Sequence, residues 1–203
     1  MQLSELQQGE LVIVCRLYGA LFYYSPSDFD KVQLNTYFQH DVETPIDDIN
    51  TVLNAFKHAD KYALIQEYDR LFTQQFPYCV PPWSSVYLDN GNPLFGSATT
   101  SYSEFIEHCG LKLRENATDP EDHIGLMLMV LAMLIDDDQD QHVSELLGEY
   151  LLPWFPFFIS KMQQESRQDA YIQLTKGTQD LLSLLQKKYS ARVLIKTNYL
   201  PVV

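Results

Sequence analysis

The side chains best suited to chemistry stand together at Glu121, Asp122 and His123, where two carboxylates and an imidazole could act as acids, bases or metal ligands. Consecutive residues on an α-helix point about 100° apart, so these three cannot converge on one metal ion. Helical metal sites use ligands three or four residues apart, as in H-E-x-x-H, and the chain lacks that motif. The other histidines are isolated in sequence: His40, His58, His108 and His142. The spacing therefore does not favour a metal site.

Motifs of the common enzyme classes are also missing from the sequence. There is no G-x-S-x-G nucleophile motif, no G-x-x-x-x-G-K-[ST] phosphate loop and no G-x-G-x-x-G dinucleotide motif. We therefore expect a protein without catalytic activity and without a cofactor of its own. A nucleotide-binding or nucleotide-hydrolysing protein is the weaker alternative.

Charge distinguishes between classes of partner. The net charge of −13 argues against nucleic-acid binding, which needs a basic surface. Residues 115–160 contain no Lys or Arg, and ten acidic residues fall there: Glu115, Asp119, Glu121, Asp122, Asp136, Asp137, Asp138, Asp140, Glu145 and Glu149. This concentration fits a cationic partner, although solvated helix ends would give the same pattern.

The cysteine content indicates the compartment. The three cysteines are odd in number and form no C-x-x-C pair: Cys15, Cys79 and Cys109. We expect buried thiols in a reducing environment, neither disulfides nor metal ligands. The first 20 residues lack the features of a signal peptide, so the predicted location is the cytoplasm.

The segment 118–135 is predicted to be the central helix. Every residue of 124–135 is apolar or glycine, which is typical of a helix surrounded by other helices, and the run is too short to span a membrane. Asp119 is suited to the N-cap and Pro120 to the first helical position. Glu121 and Asp122 would place negative charge at the positive end of the helix dipole.

Apolar residues recur at helical spacing through most of the remaining chain, and no useful alternating pattern indicates strands. We therefore predict an all-α, single-domain bundle over residues 1–203, with roughly nine to eleven helices. The other predicted helices are 3–24 (with Ser4 as its cap), 27–40, 45–56, 60–74, Ser101 or Ser103 to Cys109, 143–152, 156–162 and 168–188. Residues 193–203 are predicted to be an extended apolar tail.

The segment 76–96 interrupts this regularity. Its four prolines and two glycines exclude a continuous helix, yet it is one of the most aromatic parts of the chain. Disordered segments are poor in aromatic residues, so we expect a long ordered loop. Its rings could form a rigid peptide-binding surface, or they could fill the core between helices.

Five motifs occur in an order that resembles a known family. They are L-Y-G-A-L-F-Y-Y at 17–24, Y-x-R-L-F at 68–72, P-P-W-x-S-V-Y-L-D at 81–89, L-F-G at 94–96 and P-E-D-H at 120–123. Together they resemble the TorD/DmsD family of redox-enzyme maturation chaperones, and the P-P-W-x-S-V segment is most similar to the DmsD branch. The resemblance extends over essentially the whole chain.

The resemblance implies a helical chaperone that binds the twin-arginine signal peptide of a molybdopterin-dependent reductase, typically dimethyl sulfoxide reductase. Such a chaperone holds the precursor in the cytoplasm until its molybdopterin cofactor is loaded, and it handles that cofactor indirectly at most. Components of the Tat translocase are further partners that the resemblance implies. The alternative within the same fold is a chaperone for trimethylamine N-oxide reductase or for a non-exported metalloenzyme.

The resemblance also assigns leader-binding residues. They are Tyr68, Leu71, Phe72, Phe76, Pro82, Trp83, Tyr87, Gly96, Asp122 and His123. We expect acidic residues at the start of the central helix to receive the arginines, and the aromatic residues to receive the apolar segment. A protonated His123 would repel the arginines, so the neutral ring is the expected binding form.

Overall fold

The computed structural model describes residues 6–39, 47–74, 79–111 and 119–200. Within these ranges it contains ten α-helices and no β-strand, so the predicted all-α bundle is confirmed. The helices are α1 (Gln8–Tyr23), α2 (Asn35–Gln39), α3 (Asp47–His58), α4 (Lys61–Tyr68), α5 (Ser84–Leu88), α6 (Ser97–His108), α7 (Ile124–Asp136), α8 (Asp140–Glu145), α9 (Phe155–Glu165) and α10 (Asp169–Lys188). Two π-helical segments, π1 (Asp69–Thr73) and π2 (Leu146–Leu151), extend α4 and α8.

Several predicted helix boundaries differ from the structure. The first helix begins at Gln8 and not at residue 3, and Ser4 lies outside the described residues. Most of the predicted helix 27–40 is a series of turns, and only α2 is helical. Gln33, two residues before α2, has a φ of 60°, which a continuous helix does not allow. The helix α6 starts at Ser97, earlier than predicted.

The predicted loop 76–96 contains a short helix. The five residues of α5 fit between Pro82 and Pro93, so the prolines limit the length of the helix without preventing it. Residues 75–78, which include Phe76, lie outside the described part of the chain.

The central helix α7 is buried as predicted, but it begins later than the sequence suggested. Its N-cap is His123, whose Nδ1 accepts a hydrogen bond from the backbone N–H of Gly125 at 3.0 Å. Asp119 and Asp122 therefore lie before the helix, and neither caps it. The prediction was wrong because the backbone N–H of Ile124 binds the carbonyl oxygen of Pro82 at 2.8 Å, so this stretch pairs with a distant segment.

The most extensive helix contact in the described ranges joins α1 to α7. The two helices run antiparallel and approach most closely at Gly19 and Gly125. A Cβ atom on Gly19 would lie 2.6 Å from the carbonyl oxygen of Gly125, and a Cβ on Gly125 would lie 2.5 Å from that of Gly19. Only glycine permits this backbone contact, which places Tyr23 at the end of α1 beside the start of α7.

Of the predicted tail 193–203, the described residues 193–200 form neither helix nor strand. The backbone N–H of Leu194 binds the carbonyl oxygen of Gly148, and that of Tyr199 binds the carbonyl oxygen of Tyr87. None of the helices in the described ranges is long and apolar enough to cross a bilayer.

The three cysteines are free and buried, as predicted. Burial raises the pKa of the Cys15 thiol to about 12, so this side chain stays protonated near neutral pH. In the described part of the chain no group of three or more His, Cys, Asp or Glu side chains is arranged to hold a metal ion.

Candidate functional site: an aromatic cleft

A cleft of about 660 Å³ opens between the end of α1, the π1 segment, residues 79–94 and the turn before α7. Half of the leader-binding residues assigned from the sequence line it: Tyr68, Phe72, Pro82, Trp83 and His123. The cleft has the size of a small-molecule pocket, so it can hold a few residues of an extended peptide. The structure thus brings these five side chains into one site.

The other assigned residues do not line the cleft. Leu71, Tyr87 and Asp122 are fully buried behind its walls, each with 0% exposure. Gly96 lies at the start of α6, outside the cleft, and Phe76 lies outside the described residues. The ring of Tyr87 packs against Trp154 with centroids 5.3 Å apart, so it fills the core.

A backbone bridge positions Trp83 beside His123. The two residues form an isolated antiparallel pair, flanked by hydrogen bonds from Ser84 N to Asp122 O at 3.1 Å and from Ile124 N to Pro82 O at 2.8 Å. The two rings meet edge to face, with centroids 5.7 Å apart. Because both partners are fixed by backbone contacts, this wall of the cleft is rigid.

Asp122 holds the same wall from behind. Its carboxylate accepts hydrogen bonds from Ser84 Oγ at 2.9 Å, from Ser85 N at 2.7 Å and from Thr99 Oγ1 at 3.1 Å. Asp122 therefore supplies negative charge to the N-terminus of α5, and not to the N-terminus of the central helix as predicted from the sequence. With all three partners inside the protein, it is not available to receive an arginine.

His123 is neutral in the folded protein. Burial lowers the pKa of its imidazole to about 3. Since Nδ1 accepts the hydrogen bond from Gly125, the proton of the neutral ring lies on Nε2. The expected neutral form is thus present across the physiological pH range, so titration of His123 should not change binding near neutral pH.

This buried imidazole should make the fold sensitive to acid. In the unfolded chain His123 titrates near its ordinary pKa of 6.5, whereas in the folded protein it is protonated only near pH 3. Between these values the unfolded state binds more protons, so the free energy of unfolding is highest above pH 6.5 and falls toward pH 3. His123→Asn retains a capping oxygen and removes the titration.

Urea unfolding of the wild type and His123→Asn at several pH values tests this expectation. The stability advantage of the wild type should shrink by up to about 1.4 kcal/mol for each pH unit below 6.5. A difference between the two proteins that stays constant from pH 7.5 to pH 4.5 would contradict it.

The opposite wall consists of aromatic rings carried by α4 and π1. Tyr68 and Phe72 contact each other edge to face, with centroids 5.1 Å apart. The hydroxyl of Tyr68 donates to the carbonyl oxygen of Tyr23 at 2.7 Å, which fastens this wall to the end of α1. Burial, together with the nearby charge of Asp119, raises the pKa of Tyr68 well above its usual range, so the hydroxyl remains a donor.

The buried carboxylate of Glu67 fixes the position of the wall formed by α4 and π1. Glu67 is only 5% exposed and accepts hydrogen bonds from Arg70 Nε at 2.9 Å and from Arg167 N at 2.6 Å. Burial opposes ionisation of Glu67, but the hydrogen bonds from Arg70 and Arg167 outweigh it and hold its pKa below the ordinary value. Arg70 also pairs with Glu165 of α9. The π1 segment is thereby tied to the connection between α9 and α10.

Of the acidic residues expected at the start of the central helix to receive the arginines, one lines the cleft. Asp119 is the only acidic side chain among the described residues that line the cleft, and its Oδ2 accepts a hydrogen bond from the Tyr23 hydroxyl at 3.1 Å. At the far end of α7, Asp136 pairs with Arg16, and Asp138 accepts a hydrogen bond from Gln8. The acidic residues of the two helix ends therefore do not form one surface.

Several residues of the cleft were not assigned to binding from the sequence: Tyr23, Val86, Asn92 and Leu94. Tyr23 lies in the L-Y-G-A-L-F-Y-Y motif, and its position one helical turn after Gly19 was a usable signal. Asp119 was assigned a capping role because Asp before Pro is typical of a helix start.

Comparisons with known proteins agree with this architecture. A family model described as nitrate reductase delta subunit matches residues 35–160. The Tat proofreading chaperone DmsD of Salmonella typhi is 31% identical over 159 residues, covering 76% of this chain and 78% of the relative. The chain belongs to the TorD/DmsD family of redox-enzyme maturation chaperones.

Further relatives support the TorD/DmsD assignment. The probable Tat proofreading chaperone DmsD of Haemophilus influenzae is 27% identical over 175 residues, covering 83% of this chain and 85% of that protein. The crystal structure of a putative redox enzyme maturation protein from Archaeoglobus fulgidus has the same fold. It matches with a TM-score of 0.55 at 21% identity, covering 86% of this chain and 94% of its own. Members of the TorD/DmsD family are chaperones and not enzymes, which confirms the predicted lack of catalytic activity.

Proposed function

We propose that the cleft binds the twin-arginine signal peptide of a redox-enzyme precursor before its export. The client we propose is the molybdopterin-dependent catalytic subunit of a dimethyl sulfoxide reductase, held in the cytoplasm while its cofactor is loaded. The observation that supports this most directly is a rigid aromatic cleft with one carboxylate, Asp119, at its wall. Two DmsD relatives carry names that describe Tat proofreading.

The chemistry of the cleft suits such a ligand. Aromatic rings held by backbone and side-chain hydrogen bonds offer apolar contact area without a large loss of entropy on binding. Asp119 offers a charge-assisted hydrogen bond to a guanidinium group, and no described lining residue is a Lys or Arg that would repel it. His123 adds no positive charge, because it is neutral.

The assigned residues then divide into two roles. We propose that Tyr68, Phe72, Pro82, Trp83 and His123 contact the peptide. Asp122 acts from behind the wall through its hydrogen bonds to Ser84 and Ser85, whereas the buried Leu71 and Tyr87 belong to the core.

Binding of a synthetic twin-arginine signal peptide, measured by calorimetry, tests the proposal. Trp83→Ala should weaken the affinity by roughly 1–3 kcal/mol, as expected when an aromatic anchor is truncated, and should leave the salt dependence unchanged. Asp119→Asn should cost less, on the order of 1 kcal/mol for a half-exposed pair, and should remove much of the salt dependence.

Tyr87→Phe provides the matched control. In the described part of the chain the buried Tyr87 hydroxyl has no hydrogen-bond partner, so its removal should change neither the affinity nor the melting temperature. A wild-type protein that binds no peptide from a panel of dimethyl sulfoxide and trimethylamine N-oxide reductase leaders would refute the proposal. A folded Trp83→Ala variant with wild-type affinity would refute the site.

A further inference from the structure

One large aromatic side chain, next in sequence to a residue that lines the cleft, is both exposed and strained. Phe95 is 64% exposed, and its backbone adopts a φ of 60°, in the left-handed region that disfavours every residue except glycine, asparagine and aspartate. Its neighbour Leu94 is 49% exposed and lines the cleft. An exposed apolar pair, of which Phe95 has an unfavourable backbone conformation, contributes little to the stability of the fold, which suggests another role.

Phe95 belongs to a loop, residues 89–96, that is fixed by hydrogen bonds. The Asp89 carboxylate accepts hydrogen bonds from Ser97 Oγ and, at 2.9 Å, from the backbone N–H of Ala98 at the start of α6. The Asn92 side chain donates to the carbonyl oxygen of Val86 at 2.7 Å, which ties the loop to α5. Both ends are therefore held, and the exposed position of Phe95 is part of the architecture.

Gly96 permits this arrangement. A Cβ atom at that position would lie 2.1 Å from Oδ2 of Asp89, so any other residue would displace the carboxylate that holds the loop. Gly96, which lies outside the cleft, thus acts on the loop that presents Leu94 and Phe95.

We propose that Leu94 and Phe95 form a second apolar subsite, and that the apolar segment after the arginine pair of the bound peptide lies across it. This inference rests on the proposed function. The cleft has the size of a small-molecule pocket, so a peptide that carries both an arginine pair and an apolar segment must continue past its mouth. Leu94 provides that continuity, because it lines the cleft and is also exposed. Asp89 and Gly96 are positioning residues for this subsite.

The test compares two synthetic peptides. One carries the arginine pair and the apolar segment, and the other ends after the arginine pair. Phe95→Ala should weaken binding of the complete peptide by about five- to thirtyfold, within the range of truncated aromatic contacts, and should leave the short peptide unaffected. Tyr62→Ala is the matched control, because Tyr62 is 68% exposed on α4 and does not line the cleft.

A second variant separates binding from folding. Phe95→Gly relieves the unfavourable backbone conformation, so its melting temperature should rise by about 1–4 °C while its affinity for the complete peptide falls. Unchanged affinity in Phe95→Ala would overturn the subsite and leave the proposed function intact. A lower melting temperature in Phe95→Gly would show that the ring supports the fold, against the inference. If the wild type binds neither peptide, the proposed function fails and the subsite fails with it.

Discussion

Replacing Asp122 by alanine should lower the free energy of unfolding by roughly 3–5 kcal/mol. The carboxylate is fully buried and accepts three hydrogen bonds, from two residues of α5 and one of α6. Removing it leaves the Ser85 N–H and the hydroxyls of Ser84 and Thr99 buried without an acceptor, and each unsatisfied donor costs about 1–3 kcal/mol. These losses are not fully additive, because the three donors share one site.

Equilibrium unfolding in urea measures this effect, with Asp136→Ala as the matched control. Asp136 lies at the other end of α7 and pairs with Arg16 on the surface, where both side chains are about half exposed. Exposed pairs contribute about 0–1 kcal/mol, so the control should remain near the stability of the wild type. A loss of less than about 1 kcal/mol for Asp122→Ala would contradict its role as the centre of this hydrogen-bond network.

Adding a single methyl group at Gly125 should also destabilise the bundle, by roughly 1–3 kcal/mol. The new Cβ would lie 2.5 Å from the backbone carbonyl oxygen of Gly19 and 2.8 Å from the Cβ of Tyr23. Backbone atoms cannot rotate away, so α1 and α7 must separate. The shift of Tyr23 would also disturb the cleft, so we expect peptide affinity to fall along with the melting temperature.

The same substitution elsewhere in the partner helix should have the opposite sign. A Cβ on Gly9, in the first turn of α1, would meet no atom within 4 Å. Gly9→Ala should therefore stabilise the protein by up to about 1 kcal/mol through helix propensity alone. If Gly125→Ala proved as stable as Gly9→Ala, the close helix crossing would not constrain the fold.

The interior of the bundle was predictable because apolar periodicity directly reports which helices are buried. The all-apolar run of α7 and the stripes of α3, α4 and α10 led to the correct architecture. The start of α7 was not predictable, since Asp119 and Pro120 carry the local chemistry of a helix start. The true boundary at His123 depends on hydrogen bonds to residues 82–85, about forty positions away in sequence, and local patterns carry no information about such contacts.

The family motifs identified only part of the cleft. Phe72 and Trp83, which were assigned to leader binding from those motifs, both line it. Tyr87 and Leu71 share those motifs and were assigned with them, yet they turn into the core. Which members of an aromatic motif face the cleft depends on the direction of α5 and on the π1 segment, and neither was apparent from the sequence.

The walls of the cleft come from parts of the chain that are made at different times during synthesis. Tyr23 emerges first, then Phe72 and Trp83, and His123 emerges last. The segment that carries Trp83 is hydrogen-bonded to Asp122 and Ile124, so a nascent chain that ends at α6 lacks contacts that complete the cleft. Because one wall is completed only when Asp122 and His123 have been made, a partly synthesised copy that ends before them has no finished cleft.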